Sequence, residues 1–201
     1  MKYIPFIATV LMLCSCSPEK DIVNPDFSPL LLSEDFASNN LDGADLNIIN
    51  WTNFAEKGTV KWKQGVFYSD KYAEFSGYLS GEYANVAWLI SPAINMDTSE
   101  NEKIAFQSAQ AYVSTYGNSL EFLVSTNFDG TNVTTANWEA LPFTLPPLEY
   151  DTNFDFFDSG IIDLSSYNGI VHFAFKVKGS GTNTSLDGTY EIDNVRLFQQ
   201  H

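Results

Sequence analysis

The sequence is poor in the residues that most enzymes and metal proteins use for their chemistry. Its two cysteines, Cys14 and Cys16, lie within the first sixteen residues, so the rest of the chain has no thiol and cannot form an internal disulfide. The only histidines are His172, predicted to face solvent on a strand, and the terminal His201. No Gly-x-Ser-x-Gly elbow, glycine-rich phosphate loop or Cys/His cluster is present. These absences disfavour nucleophilic catalysis, phosphate-loop nucleotide binding and zinc binding.

Basic residues are also scarce. Ten lysines and arginines stand against 25 aspartates and glutamates, which gives a formal net charge of -15 at pH 7. Because phosphate backbones are bound through Lys and Arg that displace counterions, this composition disfavours nucleic acid as a partner, and anionic polysaccharide for the same reason. An acidic surface keeps a secreted protein soluble, and clustered acids also offer oxygens to a cation. Composition alone leaves open a hydrolase with paired carboxylates, because their separation is a spatial property.

The only long apolar stretch, residues 4–13, is too short to span a bilayer. It follows a basic start and leads into Leu13-Cys14-Ser15-Cys16, which has the pattern of a lipobox. The pattern predicts a signal peptide over residues 1–15 and lipidation of Cys16. Residues 16–29 contain three prolines and no apolar period, and are predicted to be a tether. A single folded domain is predicted over residues 30–201.

The domain has the composition of an all-β fold. Short stretches of β-branched and aromatic residues are divided by Gly, Asn, Asp and Pro. The clearest predicted strand is residues 171–178, where apolar residues occupy every second position. Further strands are predicted at residues 30–36, 60–68, 72–78, 86–90, 103–113, 120–124 and 190–198. About eight strands predict a sandwich of two sheets. The proline-rich residues 142–160 are predicted to be largely an exposed loop.

Seven short blocks between residues 33 and 195 carry a family resemblance. They are SEDF at 33–36, VAWLISPAI at 86–94, LEFLVST at 120–126, NWEAL at 137–141, IDLSSYNG at 162–169, VHFAF at 171–175 and YEIDNV at 190–195. In this order they resemble the choice-of-anchor J and cleaved-adhesin families of Bacteroidetes surface proteins, which are related to MAM-type jelly rolls. The resemblance implies a jelly-roll β-sandwich of two antiparallel sheets. The tether sequence SPEKD also resembles a surface-export signal, which implies an outer-membrane lipoprotein exposed at the cell surface.

The resemblance further implies a structural calcium ion. In such jelly rolls a cation sits where the first strand meets the last, held by an acid from each, and the matching residues are Glu34 or Asp35 and Asp193. The apolar residues change from even to odd positions around Asp193, since Ile192 is followed by Val195 and Leu197. This change predicts a bulge at Asp193-Asn194. The alternative is that Asp193 makes only a hydrogen-bonded turn and Glu34 faces water.

Four aromatic residues in loop-like sequence are candidate ligand-binding residues: Tyr116, Tyr150, Phe154 and Phe156. Exposed rings beside Asp and Asn suit a sugar, whose apolar face stacks on a ring while polar groups take its hydroxyls. The alternative is that residues 142–160 fold down and bury their aromatics. The predicted function is a non-catalytic, adhesin-like or carbohydrate-binding module for extracellular glycan or host surface material, on the membrane through its lipid alone. The alternatives are an accessory subunit docking on another outer-membrane protein and, with less support, a glycoside hydrolase.

Overall fold

The computed structural model describes residues 28–37 and 41–200. The strands in this part of the chain are β1 (Leu30–Glu34), β2 (Thr52–Lys57), β3 (Lys63–Phe67), β4 (Asp70–Ser76), β5 (Asn85–Ile90), β6 (Ile94–Asn95), β7 (Glu102–Ala111), β8 (Ser119–Ser125), β9 (Glu139–Leu141), β10 (Phe157–Asp158), β11 (Ile162–Asp163), β12 (Ile170–Gly179) and β13 (Thr189–Gln199). Two short 3-10 helices span Met96–Thr98 and Tyr150–Thr152. Within these two ranges no helix has the length and apolar character needed to cross a membrane. Cys16 and the predicted signal peptide lie outside the described residues.

The strands form two sheets. The first has the order β10-β7-β13-β4-β3, with β1 also paired to β13 and β11 also paired to β7. The second has the order β2-β5-β12-β8-β9, with β6 also paired to β12. The pairs between these strands are antiparallel. The domain is therefore an all-β jelly-roll sandwich of two antiparallel sheets, which confirms the predicted fold class.

The main core lies between the two sheets and is rich in aromatic rings. Four alternate side chains of β12 face it and are at most 1 % exposed: Val171, Phe173, Phe175 and Val177. Phe175 packs edge-on against Phe106 of β7, with ring centroids 4.8 Å apart. Burying a side chain of this size contributes roughly 1.5 to 3 kcal/mol. Since the described residues contain no cysteine, this apolar packing stabilises the sandwich without disulfides.

A bulge interrupts β13 after Asp193. Asp193 pairs with Gln107 of β7, and Arg196 pairs with Ala105. Between these two pairs β13 advances by three residues and β7 by only two, so β13 contains one extra residue. Asn194 takes up the extra residue with φ 51°, a left-handed conformation that Asn tolerates better than most residues. Apolar residues on both sides of the bulge consequently face the core. The bulge predicted from the change of parity is confirmed.

A second, smaller cluster covers the outer face of the second sheet. Its buried members are Val86, Trp88, Ile90, Leu123, Phe128, Val133 and Ala174. Phe128 and Val133 come from the loop between β8 and β9, which folds back over the sheet. His172 is consequently half-buried rather than facing solvent, with Nδ1 2.9 Å from the Ser91 carbonyl oxygen and its ring edge-on to Phe128. The prediction that His172 faces solvent is therefore wrong.

Residues 142–160 divide into a packed part and an exposed part. Phe143, Leu145 and Leu148 pack against the main core. Tyr150 and Phe154 are 76 % and 48 % exposed. The segment also contains one of the 3-10 helices, and it ends with β10 on the edge of the first sheet. The exposed-loop and folded-down alternatives therefore each describe one part of the segment.

Candidate functional site

The outer face of the first sheet is the candidate site. Because side chains alternate along a strand, the neighbours of the core positions point outward. The outward residues are Tyr72, Glu74 and Ser76 of β4, Gln107, Ala109 and Ala111 of β7, and Thr189, Glu191 and Asp193 of β13. The two alanines of β7 are fully buried there. A cavity lies at each end of it.

The first cavity has a volume of about 510 Å³, and we call it the tyrosine cavity. Its lining residues are Ser76, Tyr78, Tyr112, Thr184, Asp187 and Thr189. The Tyr112 ring is 5.9 Å from Phe154 in an edge-on arrangement and 6.3 Å from Tyr150. The cavity thus combines exposed rings with hydroxyl and carboxylate groups.

Backbone and amide hydrogen bonds hold the aromatic loop beside this cavity. The Phe154 N–H donates to the Gln110 carbonyl oxygen at 2.9 Å. The Gln110 side-chain amide donates to the Pro147 carbonyl oxygen at 2.8 Å. The Tyr112 N–H donates to the Asn153 side-chain oxygen at 3.1 Å. Three contacts with the end of β7 therefore set the position of the exposed rings.

The structure brings together two of the four predicted aromatic residues. Tyr150 and Phe154 both contact Tyr112. Tyr116 is exposed in the turn before β8, and it is not among the residues that line the tyrosine cavity. Phe156 lies further along the outer face. Sequence reasoning missed Tyr112, because it lies inside the strand predicted at residues 103–113, whereas β7 ends at Ala111 and Tyr112 has φ 58°.

Two rings and two glutamates occupy the middle of the outer face. The ring of Tyr72 lies where a Cβ on Gly65 would collide with it, and it contacts Phe156 edge-on at 5.7 Å. We call Tyr72 and Phe156 the ring pair. Glu191 stands opposite Glu74 in the register of β13 and β4. Glu191 is 2 % exposed and its Oε1 has no hydrogen-bond partner. Burial and then the Glu74 carboxylate raise the pKa of Glu191 to about 8.

The second cavity, of about 620 Å³, lies at the opposite end, and we call it the arginine cavity. Its lining includes Ala105, Gln107, Asp158, Ile161, Arg196 and Phe198. The Gln107 amide donates to Asp158 Oδ1 at 3.0 Å and accepts from Asn194 Nδ2 at 2.9 Å. These hydrogen bonds hold one polar wall in place. The other wall is apolar.

The predicted calcium residues lie where β1 meets β13. The two carboxylate oxygens of Asp193 accept hydrogen bonds from the backbone N–H and the side-chain amide of Asn194, at 2.6 and 2.9 Å. The pKa of Asp193 is raised to about 6, first by burial and further by the charges of Asp70 and Asp35. Asp35 is thus one of the carboxylates whose charge acts on Asp193, and Arg196 acts on it in the opposite direction.

The third predicted calcium residue, Glu34, already accepts a hydrogen bond from the chain itself. Its Oε1 accepts the Phe36 N–H at 2.8 Å, and burial raises its pKa. Asp35 Oδ1 accepts the Ala37 N–H at 3.1 Å. Within residues 28–37 and 41–200, no group of three or more His, Cys, Asp or Glu side chains is arranged to hold a metal. The carboxylates suit calcium chemically, but backbone carbonyls or water would have to complete the ligand shell.

Comparison with known proteins supports the fold. No family model matches the chain, and no curated protein matches its sequence. The K1 cleaved adhesin domain of Lys-gingipain from Porphyromonas gingivalis W83 matches 85 % of this chain and 98 % of its own, with 18 % identity and a TM-score of 0.50. The K3 cleaved adhesin domain of the same protein matches 85 % and 100 %, with 16 % identity and a TM-score of 0.52. The chain therefore has the fold of cleaved adhesin domains.

A more distant solved structure is a xylan-binding domain, CBM22-2 of Xyn10C from Paenibacillus barcinonensis. It matches 85 % of this chain and 99 % of its own, with 12 % identity and a TM-score of 0.46. Because one fold hosts many functions, the function of this chain has to be argued from its own residues.

Proposed function

We propose that the chain is a non-catalytic binding module whose ligand is a glycan held at the tyrosine cavity. One observation carries the proposal: Tyr112, Tyr150 and Phe154 form an exposed ring cluster directly beside the polar residues of the cavity. Sugars present an apolar ring face together with a rim of hydroxyls. A site that combines aromatic rings with a few placed polar groups is suited to both.

The polar residues of the cavity have complementary hydrogen-bonding roles. The Asp187 carboxylate accepts hydrogen bonds from sugar hydroxyls. The Thr184 and Thr189 hydroxyls both donate and accept. Since the loop with Tyr150 and Phe154 is held to β7 by hydrogen bonds, the rings are ordered before a ligand arrives. Preorganisation of this kind reduces the entropy lost on binding.

A glycan array probed with the purified full-length chain tests the proposal. We expect binding to a defined set of glycans, and Tyr112→Ala should weaken it at least tenfold, about 1.4 kcal/mol. The matched control is Tyr68→Ala, which removes an exposed tyrosine that lines neither cavity. A blank array, or equal loss in both variants, would refute the proposal. Release of reducing ends from the bound glycan would contradict the non-catalytic role.

An accessory subunit that docks on another outer-membrane protein is the second candidate function. The hairpin tip between β3 and β4 favours it, because Phe67 and Tyr68 are 64 % and 91 % exposed. Tyr68 also has φ 55°, a left-handed conformation that strains a bulky side chain. Co-purification from outer membranes separates the two candidates. Docking predicts a partner that is lost in Tyr68→Ala and retained in Tyr112→Ala.

The proposal also makes the chain an outer-membrane lipoprotein exposed at the cell surface. The lipobox ending at Cys16 and the SPEKD tether support this location, and both lie outside the described residues. In the native host, Cys16→Ala should abolish palmitate incorporation and move the protein to the soluble fraction. Palmitate labelling that persists in this variant would contradict the lipid anchor.

A structural calcium ion at Asp35 and Asp193 is the last part of the proposal. The mutual repulsion of these carboxylates supports it, because a divalent cation would join β1 to β13 and neutralise both. We expect calcium to raise the melting temperature of the wild type above its value in chelator. Asp193→Ala should lower the melting temperature and remove the calcium response. A wild-type melt that is identical in calcium and chelator would eliminate the ion.

A further inference from the structure

We infer that the tyrosine cavity holds one sugar unit between the rings of Tyr78 and Tyr112, and that this unit carries only equatorial hydroxyls, as β-linked glucose and xylose do. This inference rests on the proposed glycan binding and deepens it. It assigns Tyr78 as a second stacking residue, and it adds the class of sugar that the cavity selects.

Tyr78 and Tyr112 line the tyrosine cavity from opposite sides. In the first sheet β13 lies between β4 and β7, and Thr189 of β13 pairs with Ser76 on one side and with Ala111 on the other. Tyr78 follows Ser76 by two residues. Tyr112 follows Ala111 directly. The two tyrosines therefore stand on either side of Thr189, on strand ends that are two strand spacings, or about 10 Å, apart.

This separation has room for one sugar ring between the two aromatic rings. Carbon atoms in van der Waals contact lie about 3.5 to 4 Å apart. A sugar that contacts an aromatic face on each side therefore needs about 7 to 8 Å between those faces, which the strand spacing allows. Tyr78 and Tyr112 are 64 % and 59 % exposed, so both rings are available to a ligand.

The polar groups of the cavity are available as well. Within the described residues, the Asp187 carboxylate and the hydroxyls of Thr184 and Thr189 make no hydrogen bond. Equatorial hydroxyls point outward around the rim of a sugar ring, whereas the C–H groups cover its faces. A sugar that stacks between the tyrosines therefore turns its hydroxyl rim towards these polar groups.

The cavity is confined to one end of the first sheet. Ala109 and Glu191, in the middle of the outer face, are at most 2 % exposed, and the ring pair meets across this part of the face. A ligand in the tyrosine cavity consequently does not continue along the sheet. Its recognition depends on the loops at this end of the sandwich.

Hydrogen bonds hold the loop that carries Tyr78. The Tyr78 N–H donates to Ser76 Oγ at 3.3 Å. The Gly181 N–H donates to the Glu82 carbonyl oxygen at 2.8 Å, which joins the loop after β4 to the loop after β12. A Cβ on Gly181 would collide with Ser80, so these two loops are in close contact. The wall that carries Tyr78 is therefore in place before a ligand arrives, which reduces the entropy lost on binding.

Stacking on both sides selects the stereochemistry of the sugar. A β-linked glucose or xylose unit has all its hydroxyls equatorial, so C–H groups cover both faces of its ring. Mannose has an axial hydroxyl on carbon 2 and galactose has one on carbon 4, so one face of each is polar. Pressing that hydroxyl against a tyrosine ring removes it from water without a hydrogen-bond partner, which costs affinity.

The test measures the affinity of the full-length chain for β-1,4-linked disaccharides of glucose, xylose, mannose and galactose by titration calorimetry. We expect the glucose or the xylose disaccharide to bind at least tenfold more tightly than the mannose and galactose disaccharides. Tyr78→Ala and Tyr112→Ala should each weaken the best disaccharide at least tenfold, whereas Tyr78→Phe keeps the ring and should stay within about twofold of the wild type. The matched control is Tyr83→Ala, at a 90 % exposed tyrosine of the same loop that lines neither cavity.

The outcomes separate this inference from the proposed function. If Tyr112→Ala weakens binding but Tyr78→Ala weakens it no more than Tyr83→Ala does, glycan binding stands and the two-sided contact is wrong. If the mannose or galactose disaccharide binds as tightly as those of glucose and xylose, the sugar class is wrong. If none of the four disaccharides binds while the glycan array shows other ligands, this inference fails and the proposed function stands. A blank array refutes both.

Discussion

Replacing the buried Glu191 by glutamine should make the protein more stable at neutral pH. Burial raises the pKa of Glu191 to about 8 in the folded state, whereas in the unfolded chain its pKa returns to the ordinary value of 4.5. Between these two values the folded protein holds a proton that the unfolded chain has released. By linkage, the free energy of unfolding falls as the pH rises through this window, by about 1.4 kcal/mol per pH unit. The full loss across the window is roughly 5 kcal/mol.

The interval from pH 6.5 to 7.5 isolates this residue best. Asp193, with a pKa raised to about 6, gives a loss of stability in the same direction, but most of its titration is complete below that interval. Glutamine has the shape of the protonated acid and carries no titrating group. It can also donate its amide to the Glu74 carboxylate, which stands opposite. The variant should therefore show a nearly flat profile in this interval and exceed the wild type by about 4 kcal/mol at pH 7.5.

Urea unfolding followed by tryptophan fluorescence at pH 5.5, 6.5 and 7.5 gives these free energies directly. The matched control is Glu100→Gln, because Glu100 is exposed on a turn and should leave the slope unchanged. A Glu191→Gln variant whose stability falls between pH 6.5 and 7.5 as steeply as the wild type would show that the buried carboxyl is not the source. The reasoning from its burial would then be wrong.

Two further substitutions test the packing, each by the urea midpoint at pH 6. Asn53→Ala removes a side-chain amide that donates hydrogen bonds to the Leu46 and Trp62 carbonyl oxygens and accepts one from the Trp62 N–H. We therefore expect the free energy of unfolding to fall by about 2 to 3 kcal/mol. A fall of less than about 0.5 kcal/mol would mean that water replaces these hydrogen bonds. Phe173→Ala leaves a cavity at a fully buried position of the aromatic core, and it should lower the free energy of unfolding by about 3 to 5 kcal/mol. An unchanged urea midpoint would contradict the burial of Phe173 in the core.

Sequence alternation predicted the strands that have one face in the main core. The predicted strand at residues 171–178 corresponds to Ile170–Gly179, and the one at residues 190–198 corresponds to Thr189–Gln199. Both carry apolar residues at every second position, interrupted in β13 only by the bulge. Burial on one face imposes this period directly on the sequence, so it can be recognised without the structure.

Strand β2 was not predicted, and its surroundings explain why. Thr52–Lys57 lies at the edge of the second sheet, and its residues are half-buried apart from the exposed Lys57, with no clear difference between its faces. Phe54 is the one large apolar residue in the segment. The strand forms because its backbone pairs with β5, from Thr52 opposite Ile90 onward. Pairing between segments this far apart leaves no period in the local sequence.

The candidate site was predictable only in part for a similar reason. Tyr150 and Phe154 stood out because they are aromatic residues in a loop-like segment. The tyrosine cavity also needs Tyr112 from the end of β7 and Thr189 from the start of β13. These residues become neighbours through the strand order and the register of the first sheet, where Thr189 pairs with Ala111. The distance between Tyr112 and Thr189 along the sequence gives no information about that register.

The two outer faces of the sandwich differ in a way that favours only one of them for binding. On the second sheet, the loop between β8 and β9 covers Trp88, which is 3 % exposed, and Lys176 lies 4.2 Å above its ring. On the first sheet, the middle of the outer face is buried as well, since Ala109 and Glu191 are at most 2 % exposed, but a cavity lies at each end of it. Glu191 and Glu74 stand side by side in the middle of this face, at a cost in stability that an apolar pair would not incur. The two cavities therefore make the outer face of the first sheet the better candidate for binding.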